Sequence, residues 1–106
     1  MDNYFVYVTT KNEADAKLIA RTVLEERLAA CANILGSVQS VYWWEGKVCE
    51  DKEVALVLKT TDSAKAKLVE RVKQIHSYEI PCIICLPIAD GNPEFIDWIR
   101  REVQVC

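Results

Sequence analysis

The residues from Val38 to Lys59 read VQSVYWWEGKVCEDKEVALVLK and form the most informative part of the chain. From Val38 to Trp44 the sequence follows a period of two residues, which is typical of a β-strand. Glu45-Gly46 breaks this run as a turn, and the segment from Lys47 to Lys59 resumes it. We therefore predict a long antiparallel hairpin, whose first strand falls within 28–44 and whose Glu50-Asp51-Lys52-Glu53 segment is solvated.

A strand and a helix precede the hairpin. The continuous apolar run from Tyr4 to Thr9 predicts a buried strand. Thr10 and Glu13 then form a capping box, which predicts that a helix starts there. The apolar residues that follow are spaced three and four apart and define one helix face: Ala16, Ile19, Ala20, Val23 and Leu24.

The part of the chain after the hairpin repeats this arrangement and adds a helix. Thr61-Asp62-Ser63 can cap a second helix, and its apolar face comprises Ala64, Leu68, Val69, Val72 and Ile75. Pro81–Ile88 has the length and composition of a strand, and Asn92-Pro93 predicts the start of a short final helix. The order β-α-β-β-α-β plus a C-terminal helix predicts an α+β fold. Its architecture is ferredoxin-like, a split βαβ arrangement with a four-stranded antiparallel sheet.

The two hairpin strands are too long for a monomer of this fold. Each could run to about a dozen residues, whereas the first and fourth strands offer only about six or seven for pairing. The distal hairpin carries Tyr42, Trp43 and Trp44, and an isolated aromatic ribbon is marginally stable in water. We therefore expect other subunits to cover it in a homotrimer. The alternative is a free arm that bends back on its own domain.

Composition limits the possible functions. The 106 residues suit one domain over 1–106, and the net charge of -3 gives no field that would attract nucleic acid or anionic lipid. No apolar run approaches the ~18 residues of a membrane span, so we expect no membrane insertion. The five cysteines are an odd number, which favours a reducing compartment and a cytoplasmic protein. Cys82 and Cys85 form C-x-x-C, but inside a strand their thiols would point to opposite faces.

Five segments together resemble the CutA family of divalent-cation tolerance proteins. They are RLAACANI at 27–34, SVYWWEGK at 40–47, LKT at 58–60, HSYEIP at 76–81 and LPI at 86–88. The resemblance covers nearly the whole chain in the family's order. It implies a ferredoxin-like domain, a homotrimer assembled through the hairpins, cytosolic binding of copper or other divalent cations, and a response to metal ions.

Two positions depart from the family pattern. Where relatives usually have proline after the histidine, this chain has Ser77, which loosens the turn because proline fixes φ and serine does not. Where relatives usually have glutamate after Pro81, this chain has Cys82. One carboxylate is replaced by a thiol, which shifts the expected preference toward soft ions such as Cu(I).

His76, Cys31 and Glu79 are the candidate metal ligands. His76 is the only histidine, and one imidazole needs further ligands because zinc and copper sites use three or four. These would be Cys31, Glu79 or groups from a neighbouring subunit. The alternatives are that His76 merely ends the second helix and that Cys31 is a small core residue.

An intersubunit cleft is the other candidate site. Tyr42, Trp44, Glu45, Lys59 and Tyr78 match family motif positions, and the alternative for them is an interface with a polar rim. The cleft could serve a trimeric sensor or scaffold of the PII type that binds a small anionic metabolite. It could also serve an unrecognised enzyme. Because no catalytic motif is supported, we expect a protein that is not an enzyme, and the sequence identifies no protein partner.

Overall fold

The computed structural model describes residues 3–104, so Cys106 lies outside the described residues. The elements in chain order are β1 (Asn3–Thr10), α1 (Glu13–Glu25), β2 (Cys31–Trp44), β3 (Lys47–Thr61), α2 (Asp62–Ile75), β4 (Ile83–Pro87) and α3 (Pro93–Glu102). The four strands form one antiparallel sheet in the order β2-β3-β1-β4. The predicted α+β fold, with its split βαβ order and final helix, is confirmed.

The hydrophobic core lies between one face of the sheet and the helices α1 and α2. Val6 and Val8 of β1 and Leu56 and Leu58 of β3 are completely buried there. The helices contribute the faces that their sequence spacing predicts: Ala16, Ile19, Ala20 and Val23 from α1, and Leu68 and Val72 from α2. Burying these aliphatic side chains supplies the main driving force for folding.

The start of α1 differs from the prediction. Asn12 caps the helix, because its side chain accepts a hydrogen bond from the Asp15 N–H at 2.8 Å. The Thr10 hydroxyl instead donates within the loop, to the Asn12 carbonyl, and across the sheet, to the Val54 carbonyl. The predicted cap at Thr10 was therefore wrong, because the observed cap lies two residues later at Asn12. Asn92 caps α3 as predicted, with Pro93 in the first turn.

The long β2–β3 hairpin is confirmed, and a two-residue turn closes it. Trp44 pairs with Lys47 across Glu45-Gly46, which have φ of 51° and 78°. Positive φ at both central positions is typical of the type I′ turn that matches strand twist. One irregularity interrupts the pairing between Ile34 and Gly36, where Leu35 is the extra residue of a bulge and Gly36 has φ of 100°.

The second strand lies within its predicted range, and the fourth is shorter than predicted. β2 begins at Cys31, because Arg27 has a positive φ of 62° and the chain after it turns before it joins the sheet. β4 covers Ile83–Pro87 only, since pairing with β1 ends at Val8 and Ile83. The carbonyl of the next residue, Thr9, accepts a hydrogen bond from His76.

The second face of the sheet lacks a full cover. Lys59, Phe5 and Phe95 meet at one end of it, where α3 packs. On the neighbouring edge strand β4, Ile84 and Leu86 stay about half exposed, at 51% and 49%. The second face is thus the side of the sheet opposite α1 and α2. Within residues 3–104, no helix has both the length and the apolar composition that crossing a bilayer requires.

Candidate functional site

A cluster of tyrosines and carboxylates lies on the second face at the base of the hairpin. Tyr78 donates its hydroxyl to Glu53 at 2.8 Å, and Glu53 is only 8% exposed. One step farther out, Tyr42 donates to Asp51. The register explains this pair, because Tyr42 lies opposite Cys49, and Asp51 is the next residue of β3 on the same face. Glu53 was predicted to be solvated, and that prediction is wrong.

Both phenols in this cluster hold their protons more strongly than free tyrosine does. The hydrogen bond to Asp51, followed by burial and the Asp51 charge, raises the pKa of Tyr42 from 10.0 to about 12. Burial, followed by the hydrogen bond to Glu53, raises the pKa of Tyr78 further above its usual range. At neutral pH both hydroxyls are therefore donors to carboxylates, and neither is a phenolate that could act as a base.

His76 joins the cluster to the end of β1. Its Nε2 lies 2.8 Å from the Thr9 carbonyl oxygen, and its Nδ1 accepts the Tyr78 N–H at 3.1 Å. A backbone N–H can only donate and a carbonyl can only accept, so this arrangement requires a neutral ring protonated at Nε2. The Tyr78 ring lies beside it, with centroids 4.8 Å apart. Both ring nitrogens are thus already engaged within the chain.

The two other predicted metal ligands do not complete a site with His76 in one chain. Cys31 pairs with Lys59, which pairs with Phe5, whereas His76 bonds to Thr9. Four residues of β1 separate these points, about 13 Å at ~3.3 Å per residue. Glu79 is exposed in the loop after His76. Across residues 3–104, no three His, Cys, Asp or Glu side chains are grouped closely enough to hold a metal ion.

Lys59 lies on the second face at the opposite end from the tyrosine cluster. Its ammonium donates to the Asn33 side chain at 2.6 Å and lies 5.7 Å from the centroid of the Phe95 ring. Along β3 the distance from Lys47 at the hairpin tip to Lys59 is about 40 Å at ~3.3 Å per residue. One chain therefore does not bring Lys59 to the tip, and only a second copy could do so.

The hairpin tip carries the remaining cleft candidates. Trp44 follows Tyr42 on the second face and is 40% exposed. Glu45 occupies the first turn position and projects from the end of the hairpin. Trp43, on the other face, is 74% exposed. The tip is thus an apolar surface at the far end of the molecule from α3.

The four cysteines that the structure describes are free and partly buried. Cys85 pairs with Val6 and packs against the core, and burial raises the pKa of its thiol. Cys82 precedes β4, whereas Cys85 lies within it. The prediction that both residues of the C-x-x-C lie in one strand was therefore wrong. Cys49 lies on the hairpin opposite Tyr42.

One hydrogen bond holds Ser77 against the first helix. The Ser77 hydroxyl donates to Asp15 of α1 at 3.1 Å. This hydrogen bond ties the loop that carries His76 and Tyr78 to the first helix, a role for Ser77 that sequence reasoning missed.

Comparison with known sequences gives one consistent family. The sequence model of the CutA1 divalent ion tolerance protein matches residues 4–102. The divalent-cation tolerance protein CutA of Thermus thermophilus is 50% identical over 97 residues, which cover 92% of this chain and 94% of that protein. The chloroplastic CutA 1 protein of rice is 43% identical over 93% of this chain and 56% of its own length. The chain thus spans nearly all of the bacterial relative and about half of the rice one.

Solved structures agree with this result. The Thermus thermophilus divalent cation tolerance protein superposes with a TM-score of 0.93 at 47% identity, over 96% of this chain and 99% of that one. A protein described as the periplasmic divalent cation tolerance protein CutA of Archaeoglobus fulgidus gives a TM-score of 0.92 at 41% identity, over 96% and 99%.

Proposed function

Because the chain belongs to the CutA1 divalent ion tolerance family, we propose that it is a trimeric metal-ion-binding protein that takes part in the response to divalent cations. The observation that carries this proposal is the family match over residues 4–102, which includes the hairpin, the His76 loop and β4. The relatives that match over nearly their whole length carry the name divalent-cation tolerance protein.

The trimer is supported by apolar surface that one chain leaves open. Ile84 and Leu86 are half exposed on the second face, and Val41, Trp43 and Val48 are 57% to 74% exposed on the distal hairpin. Exposed apolar side chains grouped on each of these two surfaces favour interfaces with other copies of the chain. Both β2 and β4 are sheet edges whose backbone groups can pair with another chain. Cyclic three-fold closure would cover the same surface on every copy.

We predict a single homotrimeric species at micromolar concentration. Light scattering coupled to gel filtration should give three times the chain mass of 12.1 kDa, without dissociation on dilution. A mass of one chain under these conditions would contradict both the overhang argument and the proposed assembly.

Metal binding in this proposal occurs between chains. Within residues 3–104 a single chain groups no three potential ligands, and it separates Cys31 from His76. A metal at Nδ1 of His76 would replace the partly buried hydrogen bond from the Tyr78 N–H, and further ligands would come from a neighbouring copy. Thiolates are soft donors and imidazole also suits copper, so the proposed ion is copper, and we expect Cu(I) to bind more tightly than Mg²⁺.

The copper prediction is tested by competition against a Cu(I) chelator. We expect His76→Ala and Cys31→Ser each to weaken Cu(I) binding by about tenfold or more, roughly 1.4 kcal/mol. Binding should also weaken as the solution is acidified, because protons compete with the metal for the imidazole and the thiolate.

Cys49→Ser is the matched control, since it removes a thiol from the hairpin and leaves His76 and Cys31 in place. Equal affinity in wild type and in both ligand variants would mean that copper binds adventitiously. The intersubunit cleft would then be the better candidate site, in the anionic-metabolite role that the sequence left as an alternative.

We further propose that the protein acts by binding and not by catalysis, and that it works in the cytoplasm. Tyr42 and Tyr78 donate to carboxylates, and His76 is engaged at both nitrogens, so the cluster presents no free base or nucleophile. The four described cysteines are free thiols, which suits a reducing compartment.

A further inference from the structure

A pocket of about 430 Å³ lies between α3 and the end of the second face, away from the His76 cluster. Its walls are apolar side chains from three parts of the chain: Phe5 of β1, Ile88 after β4, and Phe95, Ile96 and Ile99 of α3. Ile99 is completely buried and Phe95 is 41% exposed, so the pocket has a buried aliphatic wall and an exposed aromatic edge. Its volume lies within the range of small-molecule sites.

Two opposite charges also line this apolar pocket. Lys59 donates to the neutral Asn33 amide and lies over the Phe95 ring, and within residues 3–104 it makes no ion pair with a carboxylate. An ammonium has three donors, so hydrogens remain for a ligand. Asp90 accepts the Gly91 N–H with one oxygen, at 2.8 Å, and makes no ion pair with Lys59.

We propose that this pocket binds a small apolar amino acid as its zwitterion. The ligand carboxylate would accept from Lys59, the ligand ammonium would donate to Asp90, and the side chain would fill the space beside Phe95. One cation and one anion at an apolar pocket match a neutral zwitterion better than they match a monoanion or a monocation, because neither pocket charge is then left unpaired. The proposal involves no metal and does not depend on the copper site, but it rests on the proposed trimer leaving this pocket open beside α3 while other copies cover the rest of the second face.

Three ligands that share a benzyl-like body test the proposal by titration calorimetry on the metal-free, full-length protein. They are L-phenylalanine, 3-phenylpropanoate, which lacks the ammonium, and 2-phenylethylamine, which lacks the carboxylate. We expect L-phenylalanine to bind at least about tenfold more tightly than either analogue, since each analogue leaves one charge in the pocket unpaired.

Two variants identify the charges. Lys59→Met should abolish the advantage of L-phenylalanine over 2-phenylethylamine, and Asp90→Asn should abolish its advantage over 3-phenylpropanoate. Lys11→Met, which removes an exposed lysine before α1, should leave all three affinities unchanged. Asp90 lies in an exposed loop, so its variant tests the site even where loss of Lys59 disturbs folding. Equal binding of the three ligands, or no binding of any, would overturn the proposal.

Discussion

Replacing Trp44 by alanine is expected to break the assembly into smaller species while the chain keeps its fold. Trp44 lies at the hairpin tip, about 40 Å along β3 from Lys59, and far from the core between the sheet and the helices. In the single chain Trp44 is 40% exposed. If a neighbouring copy covers this indole, truncation should cost about 2 kcal/mol or more of association free energy at each interface.

The measurement combines light scattering with circular dichroism at several subunit concentrations. Trp98→Ala is the matched control, because Trp98 packs against Ile99 and Val103 within the same chain. We expect Trp98→Ala to lower the melting temperature without lowering the mass of the assembly. A Trp44→Ala protein with unchanged mass and melting temperature would mean that the tip is a ligand surface and not an interface.

Leu58→Ala should give the largest loss of stability in the chain itself. Leu58 is completely buried on the central strand β3, where it lies between Val6 of β1 and Ala32 of β2 beneath the helices. Truncating a buried leucine removes its transfer free energy and leaves a cavity, and together these cost about 3 to 5 kcal/mol. Denaturant unfolding at a fixed subunit concentration measures the difference, since assembly also contributes to apparent stability.

Leu18→Ala makes the same chemical change at a site that is 56% exposed on the outer side of α1. We expect it to change the free energy of unfolding by no more than about 0.5 kcal/mol. Comparable losses for Leu18→Ala and Leu58→Ala would show that the core does not lie on the helix-covered side of the sheet.

The sequence was sufficient to predict the fold because its strongest patterns are periodic. The alternation around Glu45-Gly46 and the helical spacing of Ala16, Ile19 and Val23 are local signals that packing reinforces. Boundaries were harder to predict because tertiary contacts set them. Thr10 fits the sequence pattern of a helix cap, but its hydroxyl donates a hydrogen bond across the sheet to the Val54 carbonyl. A local sequence rule does not reveal this contact.

The candidate site was only partly predictable. The Tyr42–Asp51 pair follows from the hairpin register once the turn at Glu45-Gly46 is placed, so sequence alone contained that signal. The Tyr78–Glu53 bond did not follow, because Tyr78 lies in a loop whose course depends on His76 and Thr9. Within one chain Cys31 and His76 are not neighbours, because pairing through β3 places Cys31 level with Phe5, whereas His76 bonds to Thr9 at the other end of β1.

The bulge at Leu35 determines which changes of length the hairpin can absorb. Before it, Asn33 shares a face with Val57, and after it the alternation on β2 is shifted by one residue, so that Tyr42 joins Cys49. Because Leu35 is the extra residue, deleting it alone would restore regular pairing and leave Tyr42 and Trp44 on the same face of the sheet. Shortening each strand by two residues beyond the bulge would also keep every remaining side chain on its own face. Beyond the bulge, insertions and deletions preserve these faces only in even steps on both strands together.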